Sequence, residues 1–368
     1  MKKVAVIDPV GIKAGMNCYD LGLLNEFQKL DVETYSFSNF TDSRFNNVNQ
    51  YNFFLDVKKG TVQNTLNFIT AHLRALAKCR KNKVKWVILH LFSSAPKDYF
   101  SYRIIKLFGL KIITIIHDVE SLSNEDNVRH RQKMYNWSQW LVVHNRTSKD
   151  AVSSSLTIEN QKKLVVIPHG NYIPFVQDIP EGSQALPINF DGGLNYLLFF
   201  GQIKPVKGLD VLLKAMALLP QNYRLIIAGR PHRDEFARYE AIIKETGIEN
   251  KIIKLIRFIT DEERNYLFKK TDALVLPYRK IFQSGVLLLS VSYGLPVIAS
   301  DLPANKEIII DQKNGMLFRD GSPDDLAEKI MYLFDNTAKE DITKTTLESA
   351  GLFNWKNIAA KYFDLIPE

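Results

Sequence analysis

Residues 199–209 read Phe-Phe-Gly-Gln-Ile-Lys-Pro-Val-Lys-Gly-Leu, and this stretch indicates the fold of the C-terminal half. A buried strand ends at Gly201, a short loop with Lys204 and Lys207 follows, and a helix opens near Gly208. The N-terminus of a helix has free backbone N–H groups and the positive end of the helix dipole, so it attracts anions. Two ammonium groups beside it would suit a diphosphate. Loop lysines can equally be only solvated, and this stretch alone leaves both interpretations open.

The same strand–loop–helix pattern repeats on both sides of this stretch. Short apolar runs alternate with helical patterns such as 19–30, 98–108, 209–219 and 323–334. Continuous apolar runs are typical of strands buried on both faces of a parallel sheet, so the alternation predicts a doubly wound α/β fold. The predicted strands are Val4–Asp8, Val32–Phe37, Trp86–His90, Ile112–His117, Leu141–His144, Leu164–Pro168, Tyr196–Phe200, Arg224–Ala228, Ile252–Phe258, Ala273–Pro277, Pro296–Ser300 and Met316–Phe318.

A break in the apolar pattern divides the chain into two similar halves. Proline and glycine punctuate the stretch from Gly170 to Asn195, and no apolar period survives in it. A length of 368 residues is sufficient for two domains. We predict an N-terminal Rossmann-like domain over 1–170, a linker over 171–194, a C-terminal Rossmann-like domain over 195–350, and a C-terminal helix over 351–368 that packs back towards the N-terminal domain.

Composition and charge favour a globular protein with anionic partners. The formal net charge is +8, a sign that suits nucleic acid, an anionic membrane surface or phosphorylated small molecules. Nucleic acid is disfavoured because no zinc-finger spacing or RNA-binding signature is present. Basic clusters at 78–85 and 129–133 are candidates for a membrane surface, and solvated helix ends are the alternative. Two cysteines and no apolar stretch near the about 20 residues of a span predict a cytoplasmic protein, peripheral at most on the inner face of the membrane.

A second candidate anion site lies at residues 283–285, where Gln-Ser-Gly precedes an apolar run that ends at Tyr293. The run is apolar around most of a helix, so the helix is expected to be buried. Serine is a favoured N-cap, and glycine lets a ligand approach the backbone. A simple cap is the alternative, and the nearby Arg279 favours binding.

Several motifs of the C-terminal half occur together in one known family. They are the Gly-x-Ile-Lys-x-x-Lys-Gly loop of 201–208, Pro-Tyr-Arg and Gln-Ser-Gly within 277–285, Tyr-Gly-Leu-Pro-Val-Ile-Ala at 293–299, and Glu307 ahead of Asn314-Gly315. In combination they resemble bacterial glycosyltransferases of family four. The resemblance covers the C-terminal half well and the N-terminal half more loosely. It implies two facing Rossmann-like domains of the GT-B type with an interdomain active-site cleft, a nucleotide-sugar donor, no metal or other cofactor, and retention of anomeric configuration.

The resemblance also implies roles for individual residues. Lys204 and Lys207 match the cations that hold the donor diphosphate, and His117 matches a histidine near the donor sugar, so these three are the predicted catalytic residues. The predicted donor-binding residues are Gly15, Gly201, Gln202, Gly229, Arg230, Pro277, Tyr278, Arg279, Gln283, Ser284, Gly285 and Val286. The predicted acceptor-side residues are Gly11, Lys13, Asn17, His144 and His169.

The chain departs from the family at two positions. Most members carry two glutamates eight residues apart, and Ile281 and Leu289 stand at those positions here. Gln283 and Ser284 are candidates to replace the carboxylate that usually contacts the donor sugar. The departure leaves the identity of the donor open.

The N-terminal half offers a glycine loop and three histidines at the ends of predicted strands. The loop of 10–17 is not Gly-x-Gly-x-x-Gly and does not support a dinucleotide fingerprint, so a plain βα turn is the alternative to a ligand loop. His117, His144 and His169 each end a predicted strand. A structural histidine is the alternative for each, and the functional interpretation is favoured only for His117.

The combined expectation is a transferase that moves a sugar from a nucleoside diphosphate to an acceptor hydroxyl. No Asp-x-Asp occurs, so the leaving diphosphate would be stabilised by cations and helix ends rather than by a metal. A surface polysaccharide or its lipid-linked precursor is the expected acceptor. A sugar-nucleotide epimerase of the same architecture and a non-catalytic partner subunit are the alternatives.

Overall fold

The computed structural model describes residues 1–54, 61–119, 127–176, 186–232, 236–335 and 338–367. The chain forms two compact units. The first unit comprises Met1–Gly170 and Phe353–Glu368, and the second comprises Asn171–Leu352. The described part of the predicted linker therefore belongs to the second unit, and the C-terminal helix belongs to the first.

Strands of the described residues form one parallel sheet in each unit. The first sheet has seven strands in the order β3-β2-β1-β4-β5-β6-β7, and the second has six in the order β10-β9-β8-β11-β12-β13. The strands are β1 (Lys3–Asp8), β2 (Glu33–Ser38), β3 (Asn49–Asn52), β4 (Trp86–Leu91), β5 (Lys111–Ile116), β6 (Ser138–Val143), β7 (Leu164–Val166), β8 (Asn195–Phe200), β9 (Tyr223–Ala228), β10 (Ile252–Leu255), β11 (Ala273–Leu276), β12 (Val297–Ser300) and β13 (Met316–Phe318).

Helices follow most strands, as the alternation of patterns predicts. In the part of the chain that the structure describes they are α1 (Met16–Lys29), α2 (Thr61–Lys81), α3 (Pro96–Leu107), α4 (Val128–Trp137), α5 (Arg146–Ser153), α6 (Ile158–Gln161), α7 (Leu209–Leu218), α8 (Ala237–Glu245), α9 (Asp261–Lys270), α10 (Gly285–Tyr293), α11 (Pro303–Lys306), α12 (Pro323–Asp335), α13 (Ala338–Ala350) and α14 (Trp355–Asp364). Among these described helices, none has both the length and the hydrophobicity to cross a bilayer.

The doubly wound parallel α/β prediction is confirmed, with small differences at strand ends. The edge strand β3 was not predicted because its sequence, Asn-Gln-Tyr-Asn, has no apolar run, and its residues are exposed or half-buried. The strand β10 ends at Leu255 rather than Phe258, and the phenyl ring of Phe258 is 73% exposed. His117 lies just beyond β5 rather than within it.

The helix α14 completes the core of the first unit. Tyr362 of α14 and Tyr19 of α1 share a buried hydrogen bond of 2.7 Å between their hydroxyls. The ring of Trp355 packs directly on the backbone of Gly22 and Gly170, since a Cβ atom at either glycine would lie 2.2 Å from it. Those two glycines therefore leave the space that the indole occupies.

Each sheet has one point where the strand order reverses, between β1 and β4 in the first and between β8 and β11 in the second. In open parallel sheets, ligands bind outside the carboxyl ends of the strands at such a switch point. In the second unit that position is bordered by Gly201 and Pro277, and in the first by Pro9 and Phe92. Both switch points are therefore candidate ligand sites.

Candidate active site

The loop of residues 201–208 joins β8 to α7 at the switch point of the second unit. Gly201 follows β8 with φ +104°, and Gly208 precedes α7 with φ +66°. Glycine adopts positive φ without steric cost. Gly208 is also required for space, because a Cβ atom there would lie 1.7 Å from the carbonyl oxygen of Pro277. The loops after β8 and β11 thus pack backbone against backbone.

Lys204 and Lys207 are both half-buried in this loop. The Nζ atom of Lys207 lies 3.7 Å from the ring centroid of Tyr278, a favourable cation–π contact. Tyr278 is fully buried, and its ring orients the ammonium group of Lys207. Its part in donor binding stays a prediction.

Arg279 is exposed, and its guanidinium group pairs with a carboxylate of the same unit. Its Nη2 atom lies 2.5 Å from Oδ2 of Asp210, in the first turn of α7. The backbone N–H of Arg279 donates to the carbonyl of Val206 at 2.9 Å. An exposed ion pair contributes only about 0–1 kcal/mol, so Asp210 holds Arg279 weakly beside the loop of 201–208.

The predicted residues after β9 pack against the start of the same loop. Gly229 is buried, and a Cβ atom there would lie 1.8 Å from the carbonyl oxygen of Gly201. Arg230 and Gln202 are exposed. The amide Nε2 of Gln202 lies 3.4 Å from Nδ1 of His232, so two polar side chains meet at the rim of the loop.

The N-terminus of α10 is the second predicted anion site of this unit. Ser284 is its N-cap, as predicted, and its Oγ accepts from the N–H of Leu287 at 3.2 Å. Val286 in the first turn lies close to Gly201, where an added Cβ would be 3.7 Å from it. Tyr172 was not predicted, because it falls in the apparent linker, but its hydroxyl would lie 3.2 Å from a Cβ atom at Gly285.

The two positions that lack the family's glutamates lie on either side of this helix start. Ile281 is half-buried before α10, and Leu289 within α10 is 8% exposed. The candidate replacements differ in access, because Gln283 is half-buried whereas Ser284 is buried. Gln283 is therefore the more accessible of the two to a ligand.

In the first unit, the glycine loop after β1 is held by two polar side chains. Oδ1 of Asp8 accepts from the backbone N–H of Gly11 at 2.9 Å, and Nδ2 of Asn39 donates to the carbonyl of Val10 at 2.9 Å. Gly15 is exposed, Asn17 is half-buried, and the side chain of Lys13 lies outside the described residues. The loop is a βα turn at the switch point whose first residues are held by these hydrogen bonds.

A histidine network lies under the carboxyl ends of the strands in the first unit. Nε2 of His90 lies 2.9 Å from Oδ1 of Asp20, and Nδ1 of His90 lies 2.8 Å from Nε2 of His117. The ring of Tyr19 contacts four imidazoles, with centroid distances of 4.9 to 5.8 Å to His90, His117, His144 and His169. The predicted strand-end histidines are therefore brought together.

His144 and His169 are both buried, and their predicted place on the acceptor side stays a prediction. They are 5% and 4% exposed, and Nδ1 of each bonds to a backbone carbonyl, of Ile167 and Gly170 respectively. Burial lowers the pKa of His144 to about 3 and that of His169 to about 4, so both are neutral at pH 7. Their neutral rings pack against Tyr19 and against each other within the histidine network.

Among the described residues, one group brings three potential metal ligands together. Asp8, Asp20 and His90 have ligand atoms within 4.8 Å of one another. Both ring nitrogens of His90 are in hydrogen bonds, and Asp8 caps the loop backbone through Oδ1. These side chains therefore take part in a hydrogen-bond network, and they belong to the first unit, whereas the loop of 201–208 belongs to the second.

A pocket of about 340 Å³ opens at the switch point of the first unit. It borders β1 at Pro9 and β4 at Phe92, and it also contacts His90. Its remaining lining mixes aromatic rings with polar groups from α2 and α3, such as Phe68, Lys97 and Asp98. Aromatic faces together with polar side chains are suited to a small polar organic ligand.

Of the two predicted basic clusters, only one is a surface cluster. Arg80, Lys81, Lys83 and Lys85 are exposed. Arg131 of the second cluster is 9% exposed, and its Nη1 donates to the carbonyl of Val119 at 3.0 Å. The cluster at 129–133 is therefore interrupted by a buried structural arginine.

The C-terminal part of the chain is similar in sequence to known glycosyltransferases. Residues 185–346 match the family described as Glycosyl transferases group 1. The chain is 30% identical over 166 residues to an uncharacterized glycosyltransferase of Methanocaldococcus jannaschii, which is 45% of each chain. It is 27% identical over 170 residues to the O-antigen chain mannosyltransferase B of Escherichia coli, covering 44% of this chain and 43% of that protein. The matches thus span less than half the length of these relatives.

Structural similarity to known proteins covers more of the chain than the sequence matches do. The structure of Anabaena HepE in complex with UDP and glucose superposes on this chain with a TM-score of 0.75 and a sequence identity of 17%. The superposition covers 99% of each chain. Identity at this level shows the fold alone. Residues 185–346 thus resemble glycosyl transferases of group 1, and both units have the Rossmann-like fold of GT-B proteins.

Proposed function

We propose that the chain transfers a sugar from a nucleoside-diphosphate sugar to an acceptor hydroxyl. The observation that carries this proposal is the loop of 201–208, where two glycines with positive φ, Gly201 and Gly208, place Lys204 and Lys207 at a switch point. The loop lies within the glycosyl transferases group 1 domain. Diphosphate is the part of a nucleotide sugar that such a loop would hold.

The departing diphosphate is stabilised electrostatically in this proposal. Lys207, fixed over Tyr278, supplies a positive charge, and the capped N-terminus of α10 supplies backbone N–H groups. Preorganised charges of this kind are often the largest contribution to catalysis. The mechanism is retaining, and the leaving phosphate oxygen takes the proton of the acceptor hydroxyl, so no protein nucleophile is needed.

The acceptor binds in the first unit, in the pocket of about 340 Å³ beside β1 and β4. Relatives of this chain are named for O-antigen and inositol-phosphate acceptors, and HepE was solved with UDP and glucose. These names support a uridine nucleotide sugar as the first donor to test. They also support a carbohydrate or lipid-linked carbohydrate of the cell surface as acceptor.

A panel of nucleotide sugars, incubated with simple glycoside and polyol acceptors, tests the proposal. Release of free nucleoside diphosphate together with a new glycoside supports a transferase. An isomerised sugar nucleotide would instead identify an epimerase, and binding without turnover would identify a non-catalytic partner subunit. Either of those results would overturn the proposal.

We expect transfer to need no metal, because lysines and a helix end provide the positive charge at the diphosphate. Activity in excess EDTA is expected to equal that without it, within about twofold. Adding Mg²⁺ or Mn²⁺ to the EDTA-treated protein is the control. Abolished activity that either ion restores would show that the diphosphate is held by a metal.

We further propose that the protein binds weakly to anionic membrane surfaces through the first unit. The exposed cluster Arg80–Lys85 adjoins exposed apolar side chains, Leu107 at 75% and Phe108 at 41%. A pocket of about 420 Å³ is lined by Arg80, Lys85 and Phe108. Each basic residue near an anionic surface contributes about 1 kcal/mol, and salt screens the attraction. This association would place the protein on the cytoplasmic face of the membrane, next to a lipid-linked acceptor.

Co-sedimentation with phosphatidylglycerol-containing vesicles is expected to occur at low salt and to disappear at high salt. The double variant Arg80→Glu/Lys85→Glu should remove binding. The control Lys149→Glu/Lys162→Glu changes the net charge by the same amount at two exposed lysines elsewhere in the first unit. This control variant should retain most of the vesicle binding. Equal loss in both variants would mean that net charge, rather than this patch, drives binding.

A further inference from the structure

Three side chains of the first unit form a continuous hydrogen-bonded chain that reaches the surface. Asp20 of α1 bonds to His90 of β4, and His90 bonds to His117 beyond β5. The side chains of Asp20 and His90 are 0% and 1% exposed, whereas His117 is half-buried. Nδ1 of His117 is neither sealed from solvent nor hydrogen-bonded to a described residue. The hydrogen-bonded chain therefore ends at Nδ1 of His117, an accessible ring nitrogen.

The ends of this chain determine where its protons lie. An ionised Asp20 can only accept, so Nε2 of His90 carries a proton. When His90 is an imidazolium ion, its Nδ1–H donates to His117, whose Nε2 must then be the acceptor. A neutral His117 in that state carries its own proton on Nδ1. The Asp20 carboxylate thus determines, through His90, whether Nδ1 of His117 carries a proton.

We propose that Asp20 and His90 are positioning residues that hold His117 with its Nδ1–H as the donor to an oxygen atom of the sugar substrate. This inference rests on the proposed transferase function. The ring of Phe92, stacked on His117 at 4.8 Å between centroids, fixes the plane of the imidazole. Orientation by a second histidine and a carboxylate then fixes its tautomer.

The surroundings of the network favour this charge state near neutral pH. Burial lowers the pKa of His90, but the Asp20 carboxylate outweighs burial and raises it above the usual value. Burial raises the pKa of Asp20 to about 6, even though His90 opposes the shift. Burial and the His90 charge hold the pKa of His117 well below its usual range. The titratable groups that face His90 and its two partners are Asp8 of β1, Tyr19 of α1, His144, His169 and Tyr362 of α14.

The sign of the pH dependence follows from these directions. The donor at Nδ1 of His117 requires protonated His90, so it is present below the raised pKa of His90 and is lost as the pH rises through it. Protonation of Asp20 as the pH falls through about 6 leaves His90 an imidazolium ion, so the donor at Nδ1 of His117 persists there. A plot of kcat/KM against pH is therefore expected to fall on the alkaline side.

Two substitutions of His90 separate positioning from packing. Asparagine can place an N–H near the position of Nδ1 and keep the donor to His117. Glutamine can reach the position of Nε2 and keep the contact with Asp20, but it lacks the donor to His117. We expect kcat/KM of His90→Gln to fall about tenfold below that of His90→Asn, the effect of one hydrogen bond. The alkaline limb of the pH profile should disappear in His90→Asn, because its amide does not titrate.

The tautomer of His117 gives a readout that does not depend on turnover. In protein labelled with ¹⁵N-histidine, the wild type is expected to show a protonated Nδ1 in His117, with the resonances assigned by their loss in His117→Gln. Asp20→Asn should move that proton to Nε2. Equal activities of the two His90 variants, or an unchanged tautomer in folded Asp20→Asn, would overturn the positioning role. Absence of any transfer by wild type, with the tautomer as expected, would overturn only the proposed function.

Discussion

Replacing Lys207 with alanine is expected to lower kcat/KM for the sugar donor by about 30- to 900-fold, a loss of about 2–4 kcal/mol in transition-state stabilisation. The ammonium group is fixed over Tyr278 before the reaction, and the attraction that it exerts grows as the diphosphate gains charge. The loss should therefore appear in kcat as well as in KM. Steady-state kinetics with the donor identified by the panel provides the measurement.

Lys214→Ala is the matched control for this substitution. Lys214 is exposed on α7, the helix that follows the loop of 201–208. Replacing Lys214 with alanine changes the net charge by the same amount as Lys207→Ala. Its kinetics should match the wild type. Lys207→Ala should also stay folded, since losing the cation–π contact costs about 0.5–1 kcal/mol. Near-normal turnover by folded Lys207→Ala would refute the assignment of the diphosphate loop.

A methyl group at residue 208 is expected to damage the same loop through its shape rather than its charge. In Gly208→Ala the new Cβ atom would lie 1.7 Å from the carbonyl oxygen of Pro277, so one of the two backbone segments must move by more than an ångström. A misplacement of about 1 Å can cost about 100-fold in rate. We expect a loss of donor turnover of at least that size, together with a lower melting temperature.

Gly247→Ala separates backbone strain from the steric conflict. Gly247 has φ +63°, close to the +66° of Gly208, and a Cβ atom there would meet nothing within 4 Å. Both substitutions incur the left-handed penalty of about 1–2 kcal/mol, but only Gly208→Ala forces the loops after β8 and β11 apart. Thermal unfolding and kinetics of the two variants give the comparison. Equal effects on activity would show that the loop tolerates displacement.

The donor side was accessible to sequence reasoning because its signals are local. A glycine, two lysines and a second glycine lie within the eight residues 201–208, and Ser284 caps the helix that begins one residue later. Propensity and spacing act over this range, so the loop and the cap could be placed without a structure. The burial of Tyr278 could not, because it depends on the strands and helices that enclose it, and these are distant in sequence.

The N-terminal side was less accessible because its contacts are remote in sequence. His90 lies 70 residues from Asp20 and 27 from His117, so no spacing rule relates the three. Strand-end position identified His117, His144 and His169, but only packing around Tyr19 distinguishes the accessible His117 from its buried neighbours. Asp20 looked like one polar residue of an amphipathic helix and gave no signal of its own.

The return of the chain to the first unit at Phe353 has a consequence for biosynthesis. Tyr19, Gly22 and Gly170 emerge from the ribosome long before Trp355 and Tyr362, which cover them. Until Trp355 and Tyr362 are made, this part of the nascent first unit lacks the aromatic rings that cover it in the folded protein. The second unit is one uninterrupted segment, so it can complete its own core earlier, although its first residue is translated after residue 170. The half that is synthesised first is therefore the half that finishes folding last.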